Sequence, residues 1–340
     1  MTSVVHPREF GVVHPRDFGV VHPRDFGRAP RLLGLGQHRP PRVVTNDELA
    51  TTLETDDAWI RDRTGIRSRR LAAEDAGVVT MAVDASAKAL ADAGVDAADV
   101  DLVIVATCTM PTSIPGAAAQ VATGIGATTV GAFDLNAACA GFCYGLSVAA
   151  DAVRAGTARH VVVVGAEKLS DWVDWTDRRS AILFGDGAGA AVVGPGNAGE
   201  PSGIGPVVWG SDGARASLID VPAGGKLRLD GPAVFRWATT SLADVARAAC
   251  AAAGVEPTDL AAFVPHQANQ RIVEAVARRL GASNAVVADD IADTGNTSAA
   301  SVPLALGRLR DEGRIAAGDR ALLLAFGAGL TWAGQVVDVC

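Results

Sequence analysis

After residue 31 this chain repeats itself, and the repetition limits the folds open to it more than any other feature. Asp101-Leu-Val-Ile-Val-Ala-Thr107 reads as a buried strand, and so does Leu260-Ala-Ala-Phe-Val-Pro-His266. Each leads into a helical stretch, a Gly-Ala pair (Gly126-Ala127 and Gly281-Ala282), another strand, a turn and a second helix. That helix stops at Gly156 in one half and at Gly313 in the other, before the apolar strands His160-Val-Val-Val-Val-Gly165 and Ala321-Leu-Leu-Leu-Ala-Phe326. Strands alternating with helices at this rhythm imply parallel sheets covered on both faces. The expected class is α/β, with two pseudo-symmetric halves over residues 31–200 and 201–340. A length of 340 residues, 49% hydrophobic and 20% charged, supplies enough buried surface for both.

Residues 4–27 are a different repeat, three copies of Val-Val-His-Pro-Arg-(Glu/Asp)-Phe-Gly. They are too short for a solenoid core, and a Pro and a Gly in each copy oppose a continuous helix. Residues 1–30 are therefore read as a mobile tail. Its His6, His14 and His22 have no other ligands at fixed geometry, and no metal site is expected. The five cysteines are odd in number and lack metal-ligand spacing, so neither a disulfide framework nor a zinc site is supported. No apolar run is long enough to span a bilayer and no signal-peptide pattern opens the chain, which gives a cytoplasmic reading with no membrane partner. A net charge of -8 argues against nucleic-acid binding.

The duplication also collects chemistry. Cys139 lies in Phe133-Asp-Leu-Asn-Ala-Ala-Cys-Ala-Gly-Phe142, where an apolar strand gives way to small residues and then to helical sequence. A thiol at a helix N-terminus is placed where the thiolate, the nucleophilic form, is favoured. The alternative is a small buried core cysteine. Asn296 lies as far before Gly313 as Cys139 lies before Gly156, and His266 matches Thr107 at the end of the equivalent strand. All three fall at strand-to-helix turns, where α/β proteins build their sites. Of the other histidines outside the tail, His38 sits beside Arg39-Pro-Pro41 in a loop and His160 at an exposed strand start.

The chain from about Arg31 to Val339 resembles the thiolase-fold condensing enzymes, specifically the β-ketoacyl-acyl-carrier-protein synthase III family. The resemblance rests on Asp57-Ala-Trp-Ile-Arg-Asp-Arg-Thr-Gly-Ile66, Ala137-Ala-Cys-Ala-Gly-Phe142, Phe184-Gly-Asp-Gly-Ala-Gly189, Pro265-His-Gln-Ala-Asn269, Asp293-Thr-Gly-Asn-Thr-Ser298 and Phe326-Gly-Ala-Gly329, in that order. It implies a layered αβαβα fold, a homodimer and a Cys139–His266–Asn296 triad. Cys139 would take an acyl group from acyl-CoA, with the backbone N–H groups of Cys139 and Ala328 as oxyanion hole; many relatives carry Gly where Ala328 stands. His266 and Asn296 would stabilise the enolate formed as malonyl-acyl carrier protein loses carbon dioxide, and no metal or other cofactor is needed. By the same resemblance Trp59 stacks on the CoA adenine, Arg63 and Arg178 contact its phosphates or adenine edge, and Asn269 supports the pantetheine site. Arg271, Arg278 and Arg279, with Arg236, form a candidate docking patch for acidic carrier protein. Ile114 stands where the dimer partner often inserts a larger side chain into the acyl pocket, and the segment 213–235 looks short; both favour branched or longer primers.

Two other readings compete. An acyltransferase of the same fold would pass the acyl group to an alcohol or amine, and an inert scaffold would be distinguished only by its tail. The intact His266 and Asn296 pair favours carbon–carbon bond formation. A biosynthetic thiolase is disfavoured because Cys340 lies outside the Phe326–Gly329 turn, and a two-histidine elongating synthase because His160 matches no site turn.

Overall fold

A computed structural model describes residues 28–340, so the octapeptide repeats lie outside the described residues. The first half runs β1 (Pro30–His38), β2 (Arg42–Thr45), α1 (Asn46–Ala50), α2 (Asp57–Thr64), β3 (Ser68–Leu71), α3 (Val78–Ala93), β4 (Leu102–Ala106), α4 (Ala118–Gly124), β5 (Gly131–Leu135), α5 (Gly141–Arg154), β6 (Val161–Lys168), α6 (Arg178–Ala181) and β7 (Asp186–Pro195). The second runs β8 (Val208–Ser211), β9 (Ile219–Asp220), β10 (Arg228–Leu229), α7 (Gly231–Ala252), β11 (Ala262–Pro265), α8 (Gln270–Leu280), β12 (Val286–Val287), α9 (Ile291–Thr294), α10 (Ser301–Asp311), β13 (Arg320–Gly327) and β14 (Thr331–Asp338). The principal sheets are five-stranded, with orders β1-β7-β6-β4-β5 and β12-β11-β13-β14-β8.

The sheets are mixed, which corrects the expectation of purely parallel ones. β4, β5 and β6 are mutually parallel, as are β11, β12 and β13, but β7 returns antiparallel to β6 and β14 antiparallel to β13. The return is local: β13 and β14 are joined by a tight turn, which only an antiparallel pair permits.

Alternation along the strands builds the layers. Ile104 of β4 and Val161 and Val163 of β6 face one core, with Phe142 and Leu146 of α5, Leu306 of α10 and Leu323 of β13. Val103, Val105, Val162 and Val164 face the opposite way, onto α3 and α4. In the second sheet Leu322, Leu324 and Phe326 turn toward α7 and α8. A period of two buried on both faces requires five layers, helix, sheet, helix, sheet, helix, with α5 and α10 in the middle. This is the thiolase-like fold.

The symmetry is slightly different from the one counted along the sequence. Short 3-10 turns, Ala138–Ala140 and Ser298–Ala300, precede α5 and α10, and each opens on a residue with positive φ, Ala138 at 46° and Ser298 at 49°. Matched through these turns, the counterpart of Cys139 is Ala299. The count from the trailing glycines lands on Asn296 because α10 has 11 residues against 14 for α5, one helical turn fewer. The two turns touch across the pseudo-axis. A Cβ on Gly165 would stand 2.3 Å from the Ala299 carbonyl oxygen, so β6 can pass beneath the second turn only as glycine.

Candidate active site

Cys139 sits in the 3-10 turn that leads into α5, and the Asn136 Oδ1 just before it accepts the Ala138 N–H at 3.1 Å. The end of β13 presses on it. A Cβ on Gly327 would fall 2.6 Å from the Cys139 nitrogen, so glycine here brings the Gly327-Ala328 backbone against the cysteine turn. The Thr331 hydroxyl reaches the carbonyls of both Ala137 and Ala328, at 2.9 and 3.1 Å, and fastens the two turns together. Burial pushes the Cys139 thiol up to about 12, partly offset by the Ser298 hydroxyl, which lowers it. The expectation of a ready thiolate is therefore corrected: desolvation of the charged form outweighs the helix start. Cys143, one turn along α5, is a core residue among Leu146, Val163 and Leu323.

His266 follows β11 and is 2% exposed. Its Nδ1 lies 2.7 Å from the Ser301 hydroxyl at the start of α10, and its ring meets Phe326 edge-on at 5.2 Å. Burial pushes its pKa down to about 3, so the imidazole is neutral at physiological pH. Asn296 is held by backbone bonds to Leu183 and Gly185, and its Oδ1 accepts the Ser298 N–H at 2.8 Å. With the oxygen committed, the amide NH2 is left to donate. Cys139, His266, Asn296 and Ala328 all line one cavity of about 1790 Å³.

The same cavity runs outward to Trp59, Arg63, Arg178 and Asn269. The indole of Trp59 is covered on its rings by two guanidiniums, Arg63 at 4.9 Å and Arg178 at 5.0 Å. Asn269 caps α8 by accepting the Arg271 N–H at 2.9 Å, while its Nδ2 bonds the Arg63 carbonyl at 2.9 Å. The predicted short segment 213–235 forms much of one wall, through Ile219, Leu227 and Leu229.

The four candidate docking arginines divide. Arg236 and Arg271 line the mouth, where the Arg271 guanidinium lies 5.5 Å from the Phe235 ring. Arg278 is not at the mouth and pairs with Glu274 at 3.9 Å, and Arg279 is spent on the Thr239 carbonyl of α7. Ile114 is 87% exposed and takes no part in its own chain's cavity. Sequence reasoning missed Glu167, Cys108, Ser298 and Ser301, which surround the thiol and imidazole. The available signal was Glu167 itself, an acid ending the run Val161-Val-Val-Val-Gly-Ala-Glu167.

Comparison with known proteins agrees with this geometry. Residues 133–213 match the sequence profile of 3-oxoacyl-[acyl-carrier-protein (ACP)] synthase III, and residues 250–339 that of its C-terminal part. A β-ketoacyl-[acyl-carrier-protein] synthase III of Streptomyces coelicolor is 52% identical over 308 residues, covering 90% of this chain and 98% of that protein. The chain belongs to the β-ketoacyl-acyl-carrier-protein synthase III family. A mycobacterial synthase III from Mycobacterium avium is 50% identical across 90% of this chain and 94% of its own. Among solved structures, the priming β-ketosynthase of the R1128 polyketide pathway superposes with a TM-score of 0.89 at 47% identity, covering 92% of this chain and 97% of that one. The synthase III of Pseudomonas aeruginosa PAO1 gives 0.87 at 41%, covering 92% and 98%. This synthase III is thus a condensing enzyme that joins an acyl-CoA starter to malonyl-acyl carrier protein. Among the described residues no cluster of His, Cys, Asp and Glu is placed to hold a metal ion, and no helix is long and apolar enough to cross a membrane.

Proposed function

We propose that Cys139 is the acyl-accepting nucleophile, with His266 and Asn296 as the pair that drives decarboxylation. The supporting observation is their convergence on one cavity, as a half-buried thiol, a neutral imidazole and an amide with only its NH2 to give. Sγ attacks the acyl-CoA thioester, CoA leaves, and malonyl-acyl carrier protein enters in its place. The N–H groups of Cys139 and Ala328 hold the oxyanion, an arrangement worth about 10²–10³ in rate per donor. Ser301 Oγ accepts the Gln267 N–H at 3.4 Å and lies 2.7 Å from Nδ1 of His266, a position from which it can donate to Nδ1 in the tautomer that carries its N–H on Nε2. Nε2–H and the Asn296 NH2 then donate to the malonyl thioester oxygen as carbon dioxide departs. The enolate carbon attacks acyl-Cys139 and leaves as β-ketoacyl-acyl carrier protein. None of these steps calls for a metal or a further cofactor.

Around this centre, the CoA adenine slots between Trp59 and a guanidinium, with Arg63 and Arg178 near its phosphates and Asn269 beside the pantetheine arm. Arg236 and Arg271, at the mouth, receive the acidic carrier protein. The enzyme works as a cytoplasmic homodimer, each chain made of an N-terminal half over residues 31–200 and a C-terminal half over residues 201–340. Ile114 of each protomer reaches the other's acyl pocket, and its modest size leaves room for branched primers. The test is incubation with acyl-CoA and malonyl-carrier protein followed by mass spectrometry. An acyl adduct on Cys139 and a β-ketoacyl carrier are expected, both lost in Cys139→Ala. Acylated Cys139 with no condensation would instead favour transfer to an alcohol or amine.

A further inference from the structure

His266 and Asn296 reach the cavity from separate stretches of chain, yet their proposed task needs both to meet one oxygen atom. One buried side chain outside the steps above touches the chain that leads to each. Gln267 follows His266 directly and is fully buried. Its Nε2 donates to the Pro265 carbonyl at 2.7 Å and faces the Ala288 carbonyl at 3.4 Å, while its Oε1 accepts the Ile291 N–H at 3.0 Å. Carbonyls on one side and an N–H on the other settle which way the amide points.

Ile291 opens α9, a helix of four residues to which its own N-cap, Asp290, gives no side-chain bond. Gln267 Oε1 takes that first orphan N–H instead. α9 closes at Gly295, with φ 67°, and the next residue is Asn296. The Gln267 amide thus grips the strand end that delivers His266 and the short helix that delivers Asn296. Downstream, the Gln267 N–H donates to Ser301 Oγ at 3.4 Å, and that hydroxyl lies 2.7 Å from Nδ1 of His266. Ile291 and Ser301 stand five residues before and five after Asn296. The Asn296 segment is therefore tied to the His266 turn on both flanks, through Gln267 each time. The first half is tied differently. Thr107 matches His266, so Cys108 matches Gln267, and its thiol reaches Glu167 at 3.3 Å, while the Cys139 turn is fastened by Thr331.

We propose that Gln267 is a positioning residue for decarboxylation, setting the distance between the imidazole N–H of His266 and the NH2 of Asn296. This rests on those two groups being the donors to the malonyl thioester oxygen. Each donor rides on its own turn, so a shift of either turn loses one of the two hydrogen bonds. A misplacement of about 1 Å can cost about 10² in rate. Acylation of Cys139 uses neither donor and is the built-in control. The charged groups around the amide are already paired: Asp290 with Arg39 at 2.9 Å and Arg308 at 3.3 Å, Asp293 with Arg67 at 2.9 Å and Arg308 at 3.3 Å, and Asp289 with Arg314 at 3.0 Å.

The experiment measures single-turnover acylation of Cys139 by acyl-CoA, and carbon dioxide release from malonyl-carrier protein, in the wild type, Gln267→Met, Asn296→Ala and the double variant. Gln267→Met keeps the length of the side chain and removes both polar ends. It is expected to slow decarboxylation about 10²-fold through kcat, with KM for the carrier and the acylation rate within a few-fold of the wild type. On the Asn296→Ala background the same change should cost only a few-fold, because no second donor is left to place. Gln267→Glu supplies the rescue. As the neutral acid, which burial beside two carbonyls favours, it can accept from Ile291 and donate to Pro265 as glutamine does. Its decarboxylation, taken relative to the wild type at each pH, should recover as pH is lowered. Unchanged decarboxylation in Gln267→Met, equal losses of acylation and decarboxylation, or the same loss with and without Asn296 would overturn the positioning role. If Gln267→Met fails to fold, Gln267→Glu decides, and equally slow decarboxylation at every pH overturns it. Wild-type decarboxylation by Asn296→Ala would overturn the donor pair itself.

Discussion

His266 is a residue whose chemistry burial alone sets. No opposing charge holds its pKa at about 3; desolvation of the imidazolium does. That neutrality is what a donor to an enolate needs, and it couples the site to stability. An unfolded histidine takes up a proton near pH 6.5, whereas the folded one does not until about 3. The unfolded state therefore binds more protons in that window, and stability falls as pH drops from 6.5 toward 3, with no contribution above it. The slope from this one group is at most about 1.4 kcal/mol per pH unit. His266→Gln should flatten the acid limb by that amount, read by guanidinium unfolding at several pH values between 4 and 7. Identical slopes in the two proteins would mean that native His266 takes up its proton after all. The substitution should also remove condensation while Cys139 still becomes acylated.

At the level of elements, the site is made by turns from both halves meeting, and this divides what was legible in the sequence from what was not. The strand and helix rhythm, the glycines closing α5 and α10 and the lone placed histidine were all readable, because period-two and helical patterns are local. The mixed sheets were not, since strand direction depends on pairing partners far along the chain. Nor was the true counterpart of Cys139: counting from a helix's end fails when one helix is a turn shorter. The thiol's ionisation was misread for the same reason, because the helix start is local while burial under β13 and Ser298 is tertiary. Gly327 carries the closest of these contacts. Gly327→Ala would set a methyl against the Cys139 backbone, which cannot retreat because Thr331 ties the two turns. Overpacking of this kind costs typically about 1–3 kcal/mol. The variant should melt lower and acylate slowly, with CoA binding preserved in calorimetry. Wild-type acylation by Gly327→Ala would show that the proposed oxyanion hole does not depend on this contact.

For the whole molecule, the unanswered face is the free side of β5. β5 is the edge of the first sheet, yet it carries Phe133 at 41% exposure, and Ile114 beside it is 87% exposed. The two are mechanically joined, since the Asp134 carboxylate accepts the Ala117 and Ala118 N–H groups at 2.7 Å each. An apolar edge strand left open invites pairing with another chain. A second copy adding its own β5 would continue the sheet and carry Ile114 into the neighbouring acyl pocket in one movement. Catalysis and assembly are then coupled through the loop that Asp134 holds. Phe133→Lys places a charge on that edge, at a position that supports no internal core. If two copies pair through β5, the variant is expected to sediment as a monomer under conditions in which the wild type sediments as a dimer, with its melting curve still cooperative. Because each acyl pocket would lose the other chain's Ile114, primer discrimination should weaken more than the acylation rate itself. A variant that stays dimeric with unchanged primer preference would show that β5 is not the edge through which two copies meet.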